Sequence, residues 1–145
     1  MKPIRNKRAH FDYEILETYE AGIELKGYEV KSIKLGHISL KGSYVTVKDG
    51  EVFLINVHIS PYQPANMPQD YNPTHARRLL LKRSEIAGII GKSKSQGLTL
   101  VPISVYTKRG KIKVEIGIGR GKRKHEKREK IKKKDVEREI GRSLK

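Results

Sequence analysis

The chain has 145 residues, of which 32 are Lys or Arg, 16 are Asp or Glu and none is Cys, giving a formal charge of +16 at pH 7. The length suits one domain, and the lack of cysteine excludes disulfide stapling, a thiolate nucleophile and any zinc site that needs sulfur ligands. No run of apolar residues approaches the roughly 20 that a membrane helix requires, and no apolar leader follows the basic N-terminus, so a soluble, cytoplasmic chain is expected.

Half of the excess charge sits in residues 120–145, where 13 Lys or Arg face 5 acids. A surplus of this size opposes compaction and attracts a polyanion. Nucleic acid is the first class of partner it suggests, and an anionic membrane surface the second.

In chain order, residues 11–16 alternate apolar and acidic side chains and predict a half-buried strand. In residues 25–35, Leu25, Tyr28 and Ile33 recur at helical spacing and predict a short helix. Asp49-Gly50 separates two β-rich runs, residues 44–48 and 51–55, and suits a tight hairpin. Four prolines mark residues 60–73 as an irregular loop, because each removes a backbone donor. Residues 77–82 predict a short strand. Ser84 suits a helix N-cap, with Ile86, Ile89 and Ile90 in the following turns and Gly91 near the exit.

Residues 98–106 and 111–118 are rich in β-branched side chains and flank Lys108-Arg109-Gly110, which predicts a second hairpin. Ile112, Val114, Ile116 and Ile118 alternate with Lys111, Lys113, Glu115 and Gly117, so one face of that strand is apolar. Five or six short strands with two small helices favour a small β-barrel. From Lys122 onward apolar residues nearly vanish. Val136, Ile140 and Leu144 share one helical stripe, which predicts a tail that is disordered when free and helical on an anionic partner.

Motifs for chemistry are missing. Gly91-Lys92-Ser93 lacks the earlier glycine of a phosphate-binding loop, and Gly117, Gly119 and Gly121 lack dinucleotide-binding spacing. Those three glycines are read as a close backbone approach and an exit hinge. His10, His37, His58, His75 and His125 show no metal-ligand spacing, so no metal and no cofactor are expected. No serine elbow or tuned carboxylate pair stands out, and enzymatic activity is not expected. What remains is cations interleaved with seven tyrosines, a combination that suits RNA, although a tyrosine serves a small core equally well.

Asn6-Lys7-Arg8-Ala9, Asp12-Tyr13, Glu20-Ala21-Gly22-Ile23, Glu29-Val30-Lys31-Ser32, Leu79-Leu80-Leu81 and the run Gly121-Lys122-Arg123-Lys124-His125-Glu126-Lys127-Arg128 together resemble the SsrA-binding protein family, also called small protein B. The resemblance implies a mainly β fold, a small oligonucleotide-binding-type closed β-barrel with two or three short flanking helices. It divides the chain into an RNA-binding domain, residues 1–121, and a basic tail, residues 122–145. It implies a monomeric, non-catalytic adaptor that binds the tRNA-like domain of transfer-messenger RNA and enters stalled ribosomes in trans-translation, with no membrane partner.

By the same resemblance, Lys7, Tyr13, Glu20, Lys31, Tyr44, Leu80, Lys82, Arg120, Lys122, Arg123 and Lys124 are expected to bind RNA. His125, Glu126, Lys127 and Arg128 are expected to meet small-subunit rRNA in the decoding centre. Lys82 stands where relatives carry Asn or His, and Arg123 and Glu126 stand where they usually carry Lys and Asp. Leu80 has no donor or acceptor for RNA and is expected to act indirectly, by supporting the fold. Three readings compete with the adaptor: a structural rRNA-binding protein with a basic extension, a peripheral membrane protein and an RNA-processing enzyme.

Overall fold

The computed structural model describes residues 1–63, 65 and 67–122. Its elements in chain order are β1 (Ile4–Arg5), α1 (Ala9–Asp12), β2 (Tyr13–Ile23), α2 (Gly27–Lys34), β3 (Ile38–Ser39), β4 (Tyr44–Lys48), β5 (Glu51–Ile55), β6 (His58–Ile59), β7 (Arg77–Leu80), α3 (Arg83–Gln96), β8 (Thr99–Lys108) and β9 (Lys111–Gly121). Both hairpins form at the expected dipeptides. Asp49 and Gly50 take φ of 52° and 75°, and Arg109 and Gly110 take 53° and 76°, the left-handed pair that suits a two-residue turn.

Two boundaries differ from the sequence expectation. The strand expected over residues 11–16 starts at Tyr13, because Ala9, His10, Phe11 and Asp12 wind into one helical turn. That turn is held by the Asp12 N–H donating to the Arg8 carbonyl at 2.8 Å and by an Arg8–Asp12 ion pair at 3.1 Å. The helix expected from Ser84 to Gly91 is longer at both ends. Glu85 accepts the backbone N–H of Lys82 at 3.1 Å and moves the cap to Lys82, while the exit waits for Gly97 at φ 61°. Gly91 only weakens the helix, by about 1 kcal/mol relative to alanine. The next turn is fastened by Lys92, whose ammonium reaches Glu17 and the Tyr19 hydroxyl on β2.

Seven strands form one antiparallel sheet in the order β1-β8-β9-β2-β7-β5-β4, and β3 pairs separately with β6. The inner face is apolar apart from Arg77 on β7, with Val52, Leu54, Val114, Ile116 and Ile118 buried against Ile33 of α2 and Ile89 of α3. A closed barrel is not what the ladders draw. Among the described residues no backbone pairing joins β4 to β8, although the two strands lie side by side. Val45 and Val47 face Leu98 and Leu100 across a cavity of about 510 Å³. Pro102 on β8 has no N–H to offer a ladder, which suits an unpaired edge. No helix among the described residues is long and apolar enough to cross a membrane.

Bulges and glycines shape the long strands. The β2–β9 register slips at Leu16 and the β8–β9 register slips at Ile103, one extra residue in each case. Asn6 plugs the second slip: its backbone N–H donates to the Ile103 carbonyl and its side-chain amide to the Pro102 carbonyl, both at 2.8 Å. Buried Ala9 then packs with Val101 and Ile103 in a second small cluster. Beneath it, a Cβ on Gly117 would stand 2.8 Å from Ile103 Cδ1, and one on Gly119 would stand 2.0 Å from the Glu14 carbonyl oxygen. Gly121 has open space around it, so the close-approach reading holds for the first two glycines.

The element that sequence reasoning missed is a buried ion pair. Glu29 and Arg77 are each 1% exposed. Arg77 Nε donates to Glu29 Oε2 at 2.8 Å, and its terminal nitrogens donate to the carbonyls of Val57 at 2.7 Å and Pro73 at 2.9 Å. The Lys26 N–H occupies Glu29 Oε1 at 3.1 Å, and His75 Nε2 lies 2.9 Å from Oε2. Tyr71 donates its hydroxyl to the Ile59 carbonyl at 2.8 Å and stands edge-on to Tyr28, with ring centroids 5.4 Å apart. Burial pushes the Glu29 carboxyl up, but the Lys26 N–H, Arg77 and His75 outweigh it and hold the group below its ordinary value of 4.5.

A carboxyl lowered in the fold contributes stability that is full above the unfolded value and is lost as the pH falls through the folded one. Resistance of the native chain to urea should therefore fall below pH 4.5, and Glu29→Gln should flatten that fall. At pH 7 the same substitution leaves Arg77 buried without its anion and should cost about 3–5 kcal/mol. An unchanged urea midpoint would dismiss the pair as a structural constraint. Gly119→Ala should lower Tm by roughly 10 °C through overpacking against backbone, whereas Gly121→Ala should shift it by no more than about 2 °C.

Candidate nucleic-acid interface

On the outer face of the sheet, the register aligns four neighbouring strands. Tyr106 of β8 pairs with Lys113 of β9, Lys113 with Gly22 of β2, and Gly22 with Leu80 of β7. Gly22 brings no side chain to this row, and a Cβ there would sit only 3.3 Å from Leu80 Cβ. Glu20 lies two residues along β2, on the same face. Glu20, Gly22, Leu80, Lys82, Arg83 and Lys113 line a groove of about 630 Å³, with Arg78 on its wall. Leu80 is 45% exposed here, which does not fit the indirect role expected for it. It adds exposed apolar surface beside the cations of a groove that Val52, Leu79, Leu81 and Ile86 also line.

Glu20 is an acid in a cationic groove, and its carboxylate is held on both oxygens. The Tyr106 hydroxyl donates to Oε2, and Lys108 Nζ lies 3.2 Å from Oε1. The Tyr106 hydrogen bond, aided by Lys108 and Lys113, holds the Glu20 carboxyl below its ordinary range. Burial and the nearby carboxylate push the Tyr106 phenol up in turn, so it stays protonated and donating.

A second groove, of about 700 Å³, gathers Lys7, Tyr13 and Tyr44 with Arg5, Arg8 and Lys41. Tyr44 opens β4 and is 52% exposed, which leaves a ring available for stacking. The two grooves share no lining residue. The expected RNA-binding residues therefore separate into one set around Glu20, Leu80 and Lys82 and another around Lys7, Tyr13 and Tyr44.

The remaining expected residues sit elsewhere. Lys31 lies on α2 with its ammonium 5.5 Å from the centre of the Tyr62 ring, and lines neither groove. Arg120 pairs with Glu14 at 3.5 Å across the β2–β9 ladder. Lys122 is tied down: its backbone N–H donates to the Asp12 carbonyl at 2.8 Å and its ammonium to the His10 carbonyl at 2.7 Å. Arg123, Lys124, His125, Glu126, Lys127 and Arg128, with the rest of the tail, lie outside the described residues.

Sequence reasoning missed several partners of these residues. Arg5 and Lys41 join the first-named tyrosines, Arg83 and Lys113 join Leu80, and Tyr106 with Lys108 grips Glu20. A period-2 reading of residues 104–108 puts Tyr106 and Lys108 on one face, but nothing in a single sequence says which acid they meet. Among the described residues Lys7, Lys41, Lys82, Arg83 and Lys113 make no ion pair, so the grooves keep uncompensated charge. No group of three His, Asp or Glu comes together among them as a metal site.

Comparison with known proteins agrees with this architecture. The family model described as SmpB protein matches residues 3–145. An SsrA-binding protein of Caldicellulosiruptor saccharolyticus is 51% identical over 140 residues, covering 97% of this chain and 88% of the relative. One from Trichormus variabilis is 50% identical over 140 residues, covering 97% and 90%. A solved structure described as "tmRNA-SmpB: a journey to the center of the bacterial ribosome" superposes with a TM-score of 0.67 at 46% identity, covering 84% of this chain and 85% of the other. With a match that spans nearly the whole chain and relatives at half identity, the chain belongs to the SmpB protein family.

Proposed function

We propose that this chain is an RNA-binding adaptor that holds the tRNA-like domain of transfer-messenger RNA and delivers it to stalled ribosomes for trans-translation. The observation that carries the reading is the groove at Glu20, Leu80 and Lys82, where Lys82, Arg83 and Lys113, which make no ion pair among the described residues, stand with the held carboxylate of Glu20 and the exposed side chain of Leu80. Its relatives are named for binding SsrA RNA, and the solved structure that it resembles pairs such a protein with transfer-messenger RNA and the ribosome. The role is positional: it needs no cofactor and no catalytic group, it is carried out by a monomer, and it belongs in the cytoplasm.

The scaffold is read as an oligonucleotide-binding-type barrel whose last seam, β4 against β8, is closed by side chains in place of hydrogen bonds. Residues 1–121 form the body that grips a folded RNA through phosphate contacts and shape. Residues 122–145 form the arm that acts in the decoding centre and message channel, with His125, Glu126, Lys127 and Arg128 meeting rRNA. Lys7, Tyr13 and Tyr44 extend the RNA contact across the second groove.

Purified chain should bind transcribed tRNA-like domain with an affinity that falls steeply with salt, at a log-log slope of roughly 0.7 to 0.9 per neutralised phosphate. Replacing Lys82 and Arg83 with alanine should lower that slope by about 1 to 2, and a slope that does not move would remove both from the contact. Lys127→Ala with Arg128→Ala should leave RNA affinity within about twofold and abolish peptide tagging in a reconstituted translation system. Equal loss of both activities would reject the division between body and arm.

A further inference from the structure

Three carboxylates line the Glu20 groove: Glu85 caps α3 through the Lys82 N–H and Glu51 pairs with Arg78, which leaves Glu20 as the one that neither a helix start nor a cation of the groove wall accounts for. A carboxylate repels phosphate, so at an RNA surface it contributes only by accepting a hydrogen bond, and for that it must be kept in one orientation. An exposed glutamate on a strand samples many rotamers and loses that freedom on binding. Here the freedom is already lost. Tyr106 and Lys108 stand two residues apart on β8, across β9 from β2, and each takes a different oxygen of Glu20.

The two neighbours do different jobs. Lys108 supplies a countercharge, which leaves the cluster neutral toward approaching phosphates. Tyr106 supplies direction, because a phenol has one hydrogen and it is committed to Oε2. A carboxylate has about four lone-pair positions, and Lys108 Nζ also lies 3.5 Å from Oε2, so about one acceptor position remains after these bonds. It belongs to the group lining the same groove as Leu80, Lys82 and Lys113.

We infer that Tyr106 is a positioning residue for RNA recognition: with Lys108 it fixes Glu20 as an acceptor that reads a hydrogen-bond donor of the nucleotide, a ribose 2′-hydroxyl or a base amine. This rests on the RNA-binding reading above and adds to it a source of selectivity that cations do not provide. Tyr106 itself does not touch the RNA; its effect passes through Glu20.

The test uses the full chain and a transcribed tRNA-like domain of transfer-messenger RNA, with binding measured over a range of salt. Tyr106→Phe removes one hydroxyl and keeps the ring, and Glu20→Gln keeps the shape of the acceptor while removing its charge. Each should weaken binding about five- to tenfold, Tyr106→Phe with the salt slope unchanged, and the double variant should be no weaker than the worse single one. The urea midpoint of Tyr106→Phe should match that of the native chain. Two modified RNAs separate the sources. A 2′-deoxy substitution, or inosine in place of guanosine to remove the 2-amino group, should cost the native chain affinity and cost Tyr106→Phe nothing further. Native affinity in Tyr106→Phe, or losses that multiply in the double variant, would overturn the inference. Failure of the unaltered chain to bind the RNA at all would instead remove the function on which it rests.

Discussion

The buried pairing of Glu29 with Arg77 is the constraint around which the fold is organised. Two ions at 1% exposure are tolerable only if every polar atom is satisfied, and the guanidinium reaches that state by drawing in the carbonyls of Val57 and Pro73. Its partner is fixed by the backbone of Lys26, at the start of α2. One contact thus fixes the approach of α2 to β7 and ties Pro73, just ahead of β7, to the same guanidinium. That matters for the site, because β7 is the strand that carries Leu80 outward, and Lys82 follows two residues after its end. Hydrophobic burial supplies the driving force of the core, but it is non-directional. The ion pair sets the register in which that burial occurs.

What the sequence disclosed about the fold follows from local rules. Asp49-Gly50 and Arg109-Gly110 permit positive φ, and the alternation of Ile112, Val114, Ile116 and Ile118 needs no distant partner to be read. The errors arose where tertiary contacts override local preference. Gly91 reads as a helix exit until Lys92 is seen fastened to β2, and Phe11 reads as strand until Ala9 is seen buried beneath Val101 and Ile103. That β4 and β8 meet without a hydrogen-bonded ladder was not legible, because alternation reports which face is buried and says nothing about which edges are paired.

The site was legible in a different way. Cations, tyrosines and family-like blocks named the residues at the heart of both grooves, yet they did not show that two separate surfaces exist or that Lys31 faces neither. Blocks such as Asn6 to Ala9 and Glu29 to Ser32 turn out to mix roles. Asn6, Ala9, Glu29 and Ser32 serve the fold through the Ile103 bulge, the second core cluster, the ion pair and the Ser60 carbonyl, whereas Lys7 points to a groove. Burial separates the two kinds of residue, and burial is a property that one sequence states only for apolar side chains.

The two bonds from Lys122 to α1 set a geometric limit on everything beyond it. They pin the point of departure to the β2–β9 end of the sheet, beside the turn that walls the Tyr13 groove. On the proposed division into body and arm, the 23 residues beyond Lys122 could span at most about 80 Å fully extended and about 35 Å as a continuous helix. A ligand seated against the body and a target sought by the arm would then have to lie within one such radius of a single anchor, which would make the arm a measuring rod for how far apart those two can be.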